Sequence, residues 1–420
     1  GFDNYECILG YAYVFNHHGY IRKIDKMFPV YTEYEVEFEI IEAQLKDLMS
    51  SANKKEIYTL YSEIGLTVDI EDFSNAVMKV TSRGFMKIGK DIKRSFQDVL
   101  NSANKIKFHK DIINNMPTFN KADYYSAGNI SLEEAKEELK LEDVLDYISK
   151  RSRVTKNDFH NKLNSVRMSS LQEALLAVDK IDILNDLLLS INMFTGGGKT
   201  IASLAVALKL KKLKEEVVKD NVKIVYGIPF INIILQIVEE FDRIMSMYLK
   251  DYKDNASTHL LEHFHLSDSV YIDSKLSIDE DDLLTQKLII DNFESQIIVT
   301  TFVQLFTSLF TNKNSNLSKM ANLRNSVIIL DEVQNVPAKY WGIVELILEF
   351  WAREYNIHFI LMTATKPMIL NNKTKSILDK GFVNLPKSRL NLYFIKKKMS
   401  INQFASFFLK KEKESPRDNL

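Results

Sequence analysis

The sequence predicts a multidomain protein in which an all-helical N-terminal part precedes an α/β domain with a mainly parallel sheet. Up to about residue 129, apolar residues recur at three- and four-residue spacing between charged ones, as in amphipathic helices. After about Ile183, short apolar runs rich in β-branched residues alternate with polar or helical sequence. This second pattern is typical of buried parallel strands joined by crossover helices.

The composition is that of an ordinary globular protein, with 45% hydrophobic and 26% charged residues and a formal net charge of −1. A near-zero charge provides no broad positive field, so a nucleic-acid site would have to be a local groove. The single cysteine, Cys7, excludes a disulfide scaffold and fits a reducing, cytoplasmic location. The run nearest in length to a membrane span, Trp341–Trp351, is too short and carries two glutamates, so we expect no membrane partner.

The pattern divides the chain into four segments. Residues 1–130 are predicted to be a helical domain, and residues 131–182 a helical linker that opens with a Ser131–Glu134 capping-box spacing. Residues 183–392 are the predicted α/β domain, with strands within 223–230, 296–302, 326–334 and 358–367. Residues 393–420 would begin a further lobe or form a tail. A ligand of such a sheet binds at the carboxyl ends of its strands.

The run TGGGKT, between an apolar segment and a strong helix former, predicts a phosphate-binding loop. Glycines let backbone amides converge on an anion, and the following helix points its positive end at the same place. Lys199 can reach the outer phosphates, and the Thr200 hydroxyl can ligate Mg²⁺. Met193 departs from the usual first glycine of this pattern, so a strand-to-helix turn without a ligand stays open on this run alone. The predicted nucleotide-binding residues are Thr195, Gly196, Gly197, Gly198, Lys199 and Thr200.

Two adjacent carboxylates, Asp331 and Glu332, end the apolar run VIIL, where they are costly unless they face a cation or water. Beside a phosphate loop, the first acid holds Mg²⁺ and the second orients and deprotonates the attacking water. A further predicted strand ends in TAT, whose hydroxyls could couple phosphate state to a neighbouring lobe. The predicted catalytic residues are Lys199, Asp331, Glu332 and Gln334, and the coupling residues are Thr363, Ala364 and Thr365.

In this order and spacing, GGGKT, DEVQ and TAT resemble the first RecA-like lobe of a superfamily 2 helicase. The runs YGIPFINIILQ and IIVTTFVQLFTSLF resemble its motif Ia and the threonine-rich motif that follows. The resemblance implies contacts to a nucleic-acid backbone from Pro229, Phe230, Thr300 and Thr301.

Longer runs, among them PFINIILQ, LEHFHLSD, SVIILDEVQNVPAKYW and FILMTATKP, resemble the helicase–nuclease of type I CRISPR interference over about residues 161–367. This resemblance implies an HD-type metal-dependent nuclease fused to a helicase that uses ATP and Mg²⁺ to move along single-stranded DNA. It also implies recruitment by the Cascade surveillance complex as a partner.

The same resemblance implies that the N-terminal helices are the HD nuclease. Its His-His-Gly element matches at His17 and His18, and its Ala-Asp element matches at Asp123. Together these side chains would hold a transition metal such as Mn, Fe, Co or Ni. The family's earlier histidine and His-Asp doublet do not precede His17, so we expect either that the chain starts after them or that the nuclease centre is absent.

The residues after Pro367 are too few for the second helicase lobe, so we expect this chain to bind nucleotide weakly without completing a hydrolytic cycle. Two other functions stay open. One is a different superfamily 2 helicase, acting on DNA or RNA and lacking a nuclease. The other is a degenerate nucleotide-binding scaffold, for which Met193 and Gln334 are the support.

Overall fold

The computed structural model describes residues 54–55, 58–59, 62, 105–127, 135–152, 158–263, 290, 292–309, 314–363, 373–380 and 399–414. The residues predicted at His17, His18, Ala364 and Thr365, and the Ser131–Glu134 spacing, lie outside this part of the chain.

The described strands form one seven-stranded sheet in the order β3-β4-β2-β5-β6-β1-β7, and every pairing in it is parallel. The central strands are continuous apolar runs buried on both faces, which is why the sequence pattern identified them. The strands are β1 (Leu188–Met193), β2 (Ile224–Ile228), β3 (Leu260–His263), β4 (Ile297–Thr301), β5 (Val327–Leu330), β6 (His358–Thr363) and β7 (Lys375–Lys380).

Helices precede, connect and follow these strands in the described chain. They are α1 (Lys105–Ala127), α2 (Leu141–Arg151), α3 (Asp158–Val178), α4 (Lys199–Val218), α5 (Ile231–Tyr248), the short α6 (Ala256–His259), α7 (Phe302–Leu309), α8 (Asn314–Leu323), α9 (Trp341–Tyr355) and α10 (Ile401–Glu414). Two 3₁₀ turns, Val333–Asn335 and Ala338–Tyr340, lie between β5 and α9.

Side chains that alternate along the strands build a separate core on each face of the sheet. One core combines alternate residues of β1, β2, β4, β5 and β6 with α2, α3, α4 and α5. The other combines the intervening residues with α1, α7, α8 and α9. The sheet is therefore covered by helices on both faces, as the predicted α/β architecture requires.

The segment predicted as a linker packs as part of this α/β body. Its helix α2 begins at Leu141, and residues 135–140 are not helical. The prediction of a continuous helix that opens at residue 131 is therefore wrong. The non-helical stretch is held against the sheet because Leu139 is buried and Gln296 Nε2 donates to the Glu137 carbonyl at 3.0 Å. Helices α2 and α3 then add side chains such as Val144 and Leu171 to the core that they share with α4.

The predicted strands at 223–230, 296–302, 326–334 and 358–367 are confirmed as β2, β4, β5 and β6. Strand β1 was predicted only as the apolar segment before the loop. The sequence pattern did not identify β3 and β7, which lie at the two edges of the described sheet. Among the described helices, none is both long enough and apolar enough to cross a membrane.

Candidate nucleotide-binding site

The carboxyl ends of the parallel strands meet at one edge of the sheet, and most of the predicted site residues follow them there. The phosphate loop follows β1, Asp331 follows β5, and Thr363 ends β6, which lies between those two strands. In the register, Asn192 of β1 stands beside Thr363. The topology therefore brings together residues that are more than 130 positions apart in the sequence.

The three glycines of the loop are needed for different structural reasons. Gly196 and Gly198 adopt φ values of 80° and 81°, in the left-handed region that side chains disfavour. Gly198 also precedes the first residue of α4, so the helix begins directly at Lys199. The loop closes on itself through a hydrogen bond from the Gly197 amide to the Phe194 carbonyl at 3.0 Å.

Gly197 is required by close packing and not by its backbone angles. A Cβ atom at this position would lie 2.7 Å from Met193 Cγ and 2.9 Å from Met193 Sδ. Met193 itself is 1% exposed, so its side chain is part of the core at the exit of β1. Met193 therefore fills apolar space beneath the loop. Because Gly197 has no Cβ atom, there is room for the Met193 side chain.

Lys199 and Glu332 connect the loop to the acidic pair. Lys199 Nζ lies 2.7 Å from Glu332 Oε1, and both side chains are partly shielded from solvent. Glu332 has φ 54°, an uncommon conformation for a residue with a side chain, and it directly follows Asp331 at the end of β5. Gln334 Nε2 donates to the second oxygen of Glu332, Oε2.

Asp331 is 8% exposed, and both of its carboxylate oxygens accept hydrogen bonds. Tyr226 donates its hydroxyl to Oδ2 at 2.8 Å, and the Glu332 amide donates to Oδ1 at 2.8 Å. Burial raises the pKa of Asp331, while the Tyr226 hydrogen bond and the Lys199 charge act to lower it. A buried carboxylate with a pKa raised by burial is stabilised further by a cation, so the pair suits a metal or another positive group.

Arg167 and Tyr226 contact this site and were not identified from the sequence. Arg167, on α3, donates from Nε and Nη2 to the Gly196 carbonyl at 3.0 and 2.6 Å, which holds the outer turn of the loop. A single arginine on an amphipathic helix carries no sequence signal of such a role. For Tyr226 a signal exists, because a lone hydroxyl in an otherwise apolar buried strand needs a polar partner.

The residues predicted to follow nucleic acid are exposed to different degrees. Phe230 is 50% exposed at the start of α5, and Pro229 is half-buried beside it. Thr300 is fully buried, and its hydroxyl lies 3.4 Å from His263 Nδ1, so its side chain does not reach the surface. Thr301 Oγ1 accepts a hydrogen bond from the Gln304 amide at 3.2 Å and caps α7. A direct side-chain contact from Thr300 to a phosphate is therefore inconsistent with this arrangement.

The predicted coupling and nuclease residues are only partly within the described chain. Thr363 is fully buried at the end of β6. Asp123 is half-buried on α1, near Lys121, which pairs with Glu294 at 2.8 Å. Among the described residues, no group of three or more His, Cys, Asp or Glu side chains could hold a metal ion.

A cavity of about 540 Å³ opens beside the loop. Gly197, Gly198 and Thr200 form part of its wall, and the rest comes from α2, α3, α4 and α5. Polar side chains such as Asn164 and Gln236 line it together with apolar ones such as Ile201 and Ile237. A mixed lining of this kind, within the usual size of a small-molecule pocket, suits a ligand with both flat apolar and polar parts.

Comparison with known proteins found a family and a curated relative that each match part of this chain. Residues 160–368 match the family described as "Type III restriction enzyme, res subunit". Over 254 residues the chain is 30% identical to the CRISPR-associated nuclease/helicase Cas3 of Haloferax volcanii, a match that covers 58% of this chain and 27% of that protein. The family match covers strands β1 to β6 and includes the predicted phosphate loop and the acidic pair. The chain spans about a quarter of the length of this curated relative.

Two solved structures were also found to be similar. One is the DEAD-box helicase Mss116 bound to ssRNA and UDP-BeF, at 18% identity and a TM-score of 0.34, covering 60% of this chain and 46% of that one. The other is Mss116p, with NTE and C-tail deleted, bound to ssRNA and AMP-PNP, at 19% identity and a TM-score of 0.32, covering 60% and 47%.

Proposed function

We propose that this protein is a cytoplasmic, ATP-dependent helicase that moves along single-stranded DNA and is coupled to metal-dependent DNA cleavage in CRISPR interference. The observation that carries the nucleotide part is the 2.7 Å contact between Lys199 of the phosphate loop and Glu332 of the acidic pair. A loop lysine and a strand-end carboxylate, far apart in the sequence, meet here at the edge where a ligand of a parallel sheet binds.

Nucleotide binding would exchange the partner of Lys199. A phosphate in the loop offers this lysine more negative charge than one carboxylate does, so Lys199 is expected to turn toward it. Glu332 then loses its cation and is left beside the reacting phosphate, where it can orient and deprotonate water. Nucleotide binding would therefore release the base from the lysine that it contacts in this structure.

The residues present fit a Mg²⁺ ion, which prefers oxygen ligands. Thr200 supplies a hydroxyl at the start of α4, and Asp331 supplies a buried carboxylate whose charge is favoured by a nearby cation. When bound, the ion would neutralise charge on the phosphates. The cavity beside the loop has the size and mixed lining to take the nucleoside of the same ATP molecule.

Single-stranded DNA is proposed to lie over the strand ends near Phe230. This ring is half exposed, and Val303, which follows the neighbouring β4, is 68% exposed. Exposed apolar and aromatic side chains give bases a surface on which to stack without reading sequence. With a net charge of −1, the rest of the chain offers no general attraction to nucleic acid.

Lys199→Ala tests the nucleotide proposal. We expect this substitution to abolish binding of a fluorescent ATP analogue and any ATP hydrolysis stimulated by single-stranded DNA. Lys212→Ala, an exposed lysine on the same helix, is the matched control and should bind as the wild type does. Wild-type protein that binds no nucleotide, or a Lys199→Ala variant that binds normally, would contradict the proposal. Binding without hydrolysis in the complete protein would instead favour a nucleotide-binding scaffold.

The nuclease part and the Cascade partner rest on the resemblance to Cas3 and on His17, His18 and Asp123. Metal analysis of the purified protein tests this part separately. We expect Mn, Fe, Co or Ni at a fixed ratio to protein, reduced in His17→Ala, His18→Ala and Asp123→Ala. Absence of such a metal from the complete protein would favour a superfamily 2 helicase without a nuclease.

A further inference from the structure

Tyr226 lies in the middle of β2 and has no exposed surface. Its ring packs edge-on against Phe241 of α5, with ring centroids 5.7 Å apart. Its neighbours in the flanking strands, Val299 and Ile329, are aliphatic. Phenylalanine would satisfy all of this packing, so the hydroxyl needs a reason of its own, because an unpaired hydroxyl is unfavourable to bury.

The hydroxyl donates to Asp331 Oδ2 at 2.8 Å. The other oxygen of Asp331 is held by the Glu332 amide, also at 2.8 Å, so the carboxylate is restrained at both ends. The pair joins two adjacent strands through their side chains, at the point where β5 ends and the site begins. This restraint decides how the carboxylate faces the loop.

The same hydroxyl also reaches toward α4. Burial raises the pKa of Tyr226, while hydrogen bonding with the side chains of Ser203 and Thr200 acts to lower it. Ser203 is 1% exposed and donates to the Thr200 carbonyl at 2.8 Å, one turn into the helix. Tyr226 therefore holds Asp331 at the end of β5 and lies on the strand that packs against the loop helix, which carries Thr200.

We propose that Tyr226 is a positioning residue that sets Asp331 and Thr200 at the separation and orientation needed to receive the Mg²⁺ of a bound nucleotide. This inference rests on the nucleotide-binding function proposed above. Partners that orient metal ligands without touching the metal commonly change metal affinity about 10- to 100-fold when they are removed. Tyr226 acts through Asp331 and is not itself expected to contact nucleotide or metal.

The test compares Tyr226→Phe with Tyr252→Phe. Tyr252 is also buried, at 4% exposed, and donates to Asp242 Oδ1 at 2.9 Å away from the loop. Both variants therefore lose one tyrosine–aspartate hydrogen bond and keep the ring, so their losses of folding stability should be similar. Affinity for a fluorescent ADP analogue is measured in EDTA and at increasing Mg²⁺ concentration, together with the thermal unfolding temperature.

We expect Tyr226→Phe to raise the Mg²⁺ concentration for half-maximal enhancement of nucleotide binding by roughly tenfold or more. Its affinity in EDTA should stay close to that of the wild type. Tyr252→Phe should follow the wild-type Mg²⁺ curve. A purely structural role for Tyr226 would lower the affinity in EDTA and in Mg²⁺ by the same factor, and that result would overturn the inference.

The outcomes separate this inference from the proposed function. If the wild type binds nucleotide and Tyr226→Phe has the same Mg²⁺ dependence, the positioning role of Tyr226 is contradicted. The proposed nucleotide binding is not affected by that result. A wild-type protein that shows no Mg²⁺-dependent nucleotide binding overturns both, because Tyr226 would then have no metal site to position.

Discussion

Single residues around the loop show why a motif pattern is a partial guide. The general pattern expects a small residue where this chain has Met193, and that difference raised the question of a loop without a ligand. In the folded protein, Met193 is a core residue and its side chain occupies the space that Gly197 leaves open. The difference from the pattern is therefore accommodated by packing.

Gly197→Ala tests this compensation. The new methyl group would lie 2.7 Å from Met193 Cγ and 3.0 Å from the Phe194 carbonyl, so the loop or the core must move. We expect a loss of about 1–3 kcal/mol in the free energy of unfolding and a clear loss of nucleotide affinity. The measurement is denaturant unfolding together with binding of a fluorescent nucleotide.

Gly342→Ala is the control for that variant. Gly342 lies in the first turn of α9, and nothing lies within 4 Å of the Cβ that alanine would add. Alanine is the better helix former, so stability should rise by up to about 1 kcal/mol with no change in nucleotide affinity. Equal losses in both variants would mean that the packing at Gly197 is not special.

Among the secondary-structure elements, α1 is packed as part of the α/β body although it belongs to the segment predicted as a separate helical domain. Its Ile112 and Met116 are buried in the same core as α8 and α9. At its other end, Lys121 donates to Asn322 of α8 at 3.0 Å and pairs with Glu294. The helix that carries Asp123 is therefore fixed to the α/β body by both apolar and polar contacts.

Met116→Ala should destabilise the lobe as a whole, because it opens a cavity in a core that α1 shares with the sheet. We expect a loss of about 2–5 kcal/mol in the free energy of unfolding. The two tryptophans, Trp341 and Trp351, lie on α9 beside the same core, so their fluorescence reports the change directly. Leu176→Ala, 62% exposed on α3, should change stability by about 0.5 kcal/mol or less. A tryptophan transition that is unaffected by Met116→Ala would argue that α1 unfolds independently.

At the scale of the whole molecule, a buried lysine contacts the residues just before β5 and β6, at the edge of the sheet opposite the site. Lys214 is 1% exposed, lies 2.9 Å from His358 Nδ1 and donates to the Asn356 carbonyl just before β6. Burial lowers the pKa of Lys214 from its ordinary value of 10.5 to about 7. Burial, with the nearby lysine charge second, lowers the pKa of His358 to about 3.

This pKa makes stability depend on pH. Between about pH 7 and 10.5 the unfolded chain holds the Lys214 proton while the folded chain has released it, so stability rises with pH across this window. The slope from this one group can approach about 1.4 kcal/mol per pH unit. Lys214→Met removes the group, so we expect the thermal unfolding temperature of the wild type to rise more steeply from pH 7 to 9.5 than that of the variant.

Lys212→Met, at an exposed position on the same helix, is the matched control and should keep the wild-type slope. If the Lys214→Met variant also keeps that slope, then Lys214 stays charged in the folded protein, and its burial does not lower its pKa as stated.

The sequence alone was sufficient for the elements whose signal is local. Strands β2, β4, β5 and β6 could be predicted because they are buried on both faces and so consist of apolar, β-branched residues. The edge strands β3 and β7 could not be predicted in this way. β3 contains Glu262 and His263, and β7 begins and ends with lysine, because an edge strand does not have to be apolar throughout.

The same division holds for the candidate site. The sequence alone predicts a phosphate loop and an acidic pair in this order, since glycine conformations and strand-end carboxylates leave a local pattern. Only the folded chain shows which distant residues are in contact: Lys199 with Glu332, Tyr226 with Asp331, and Arg167 with Gly196. It also shows that Thr300 is buried. Such contacts depend on which strands become neighbours in the sheet, and no window of adjacent residues contains that information.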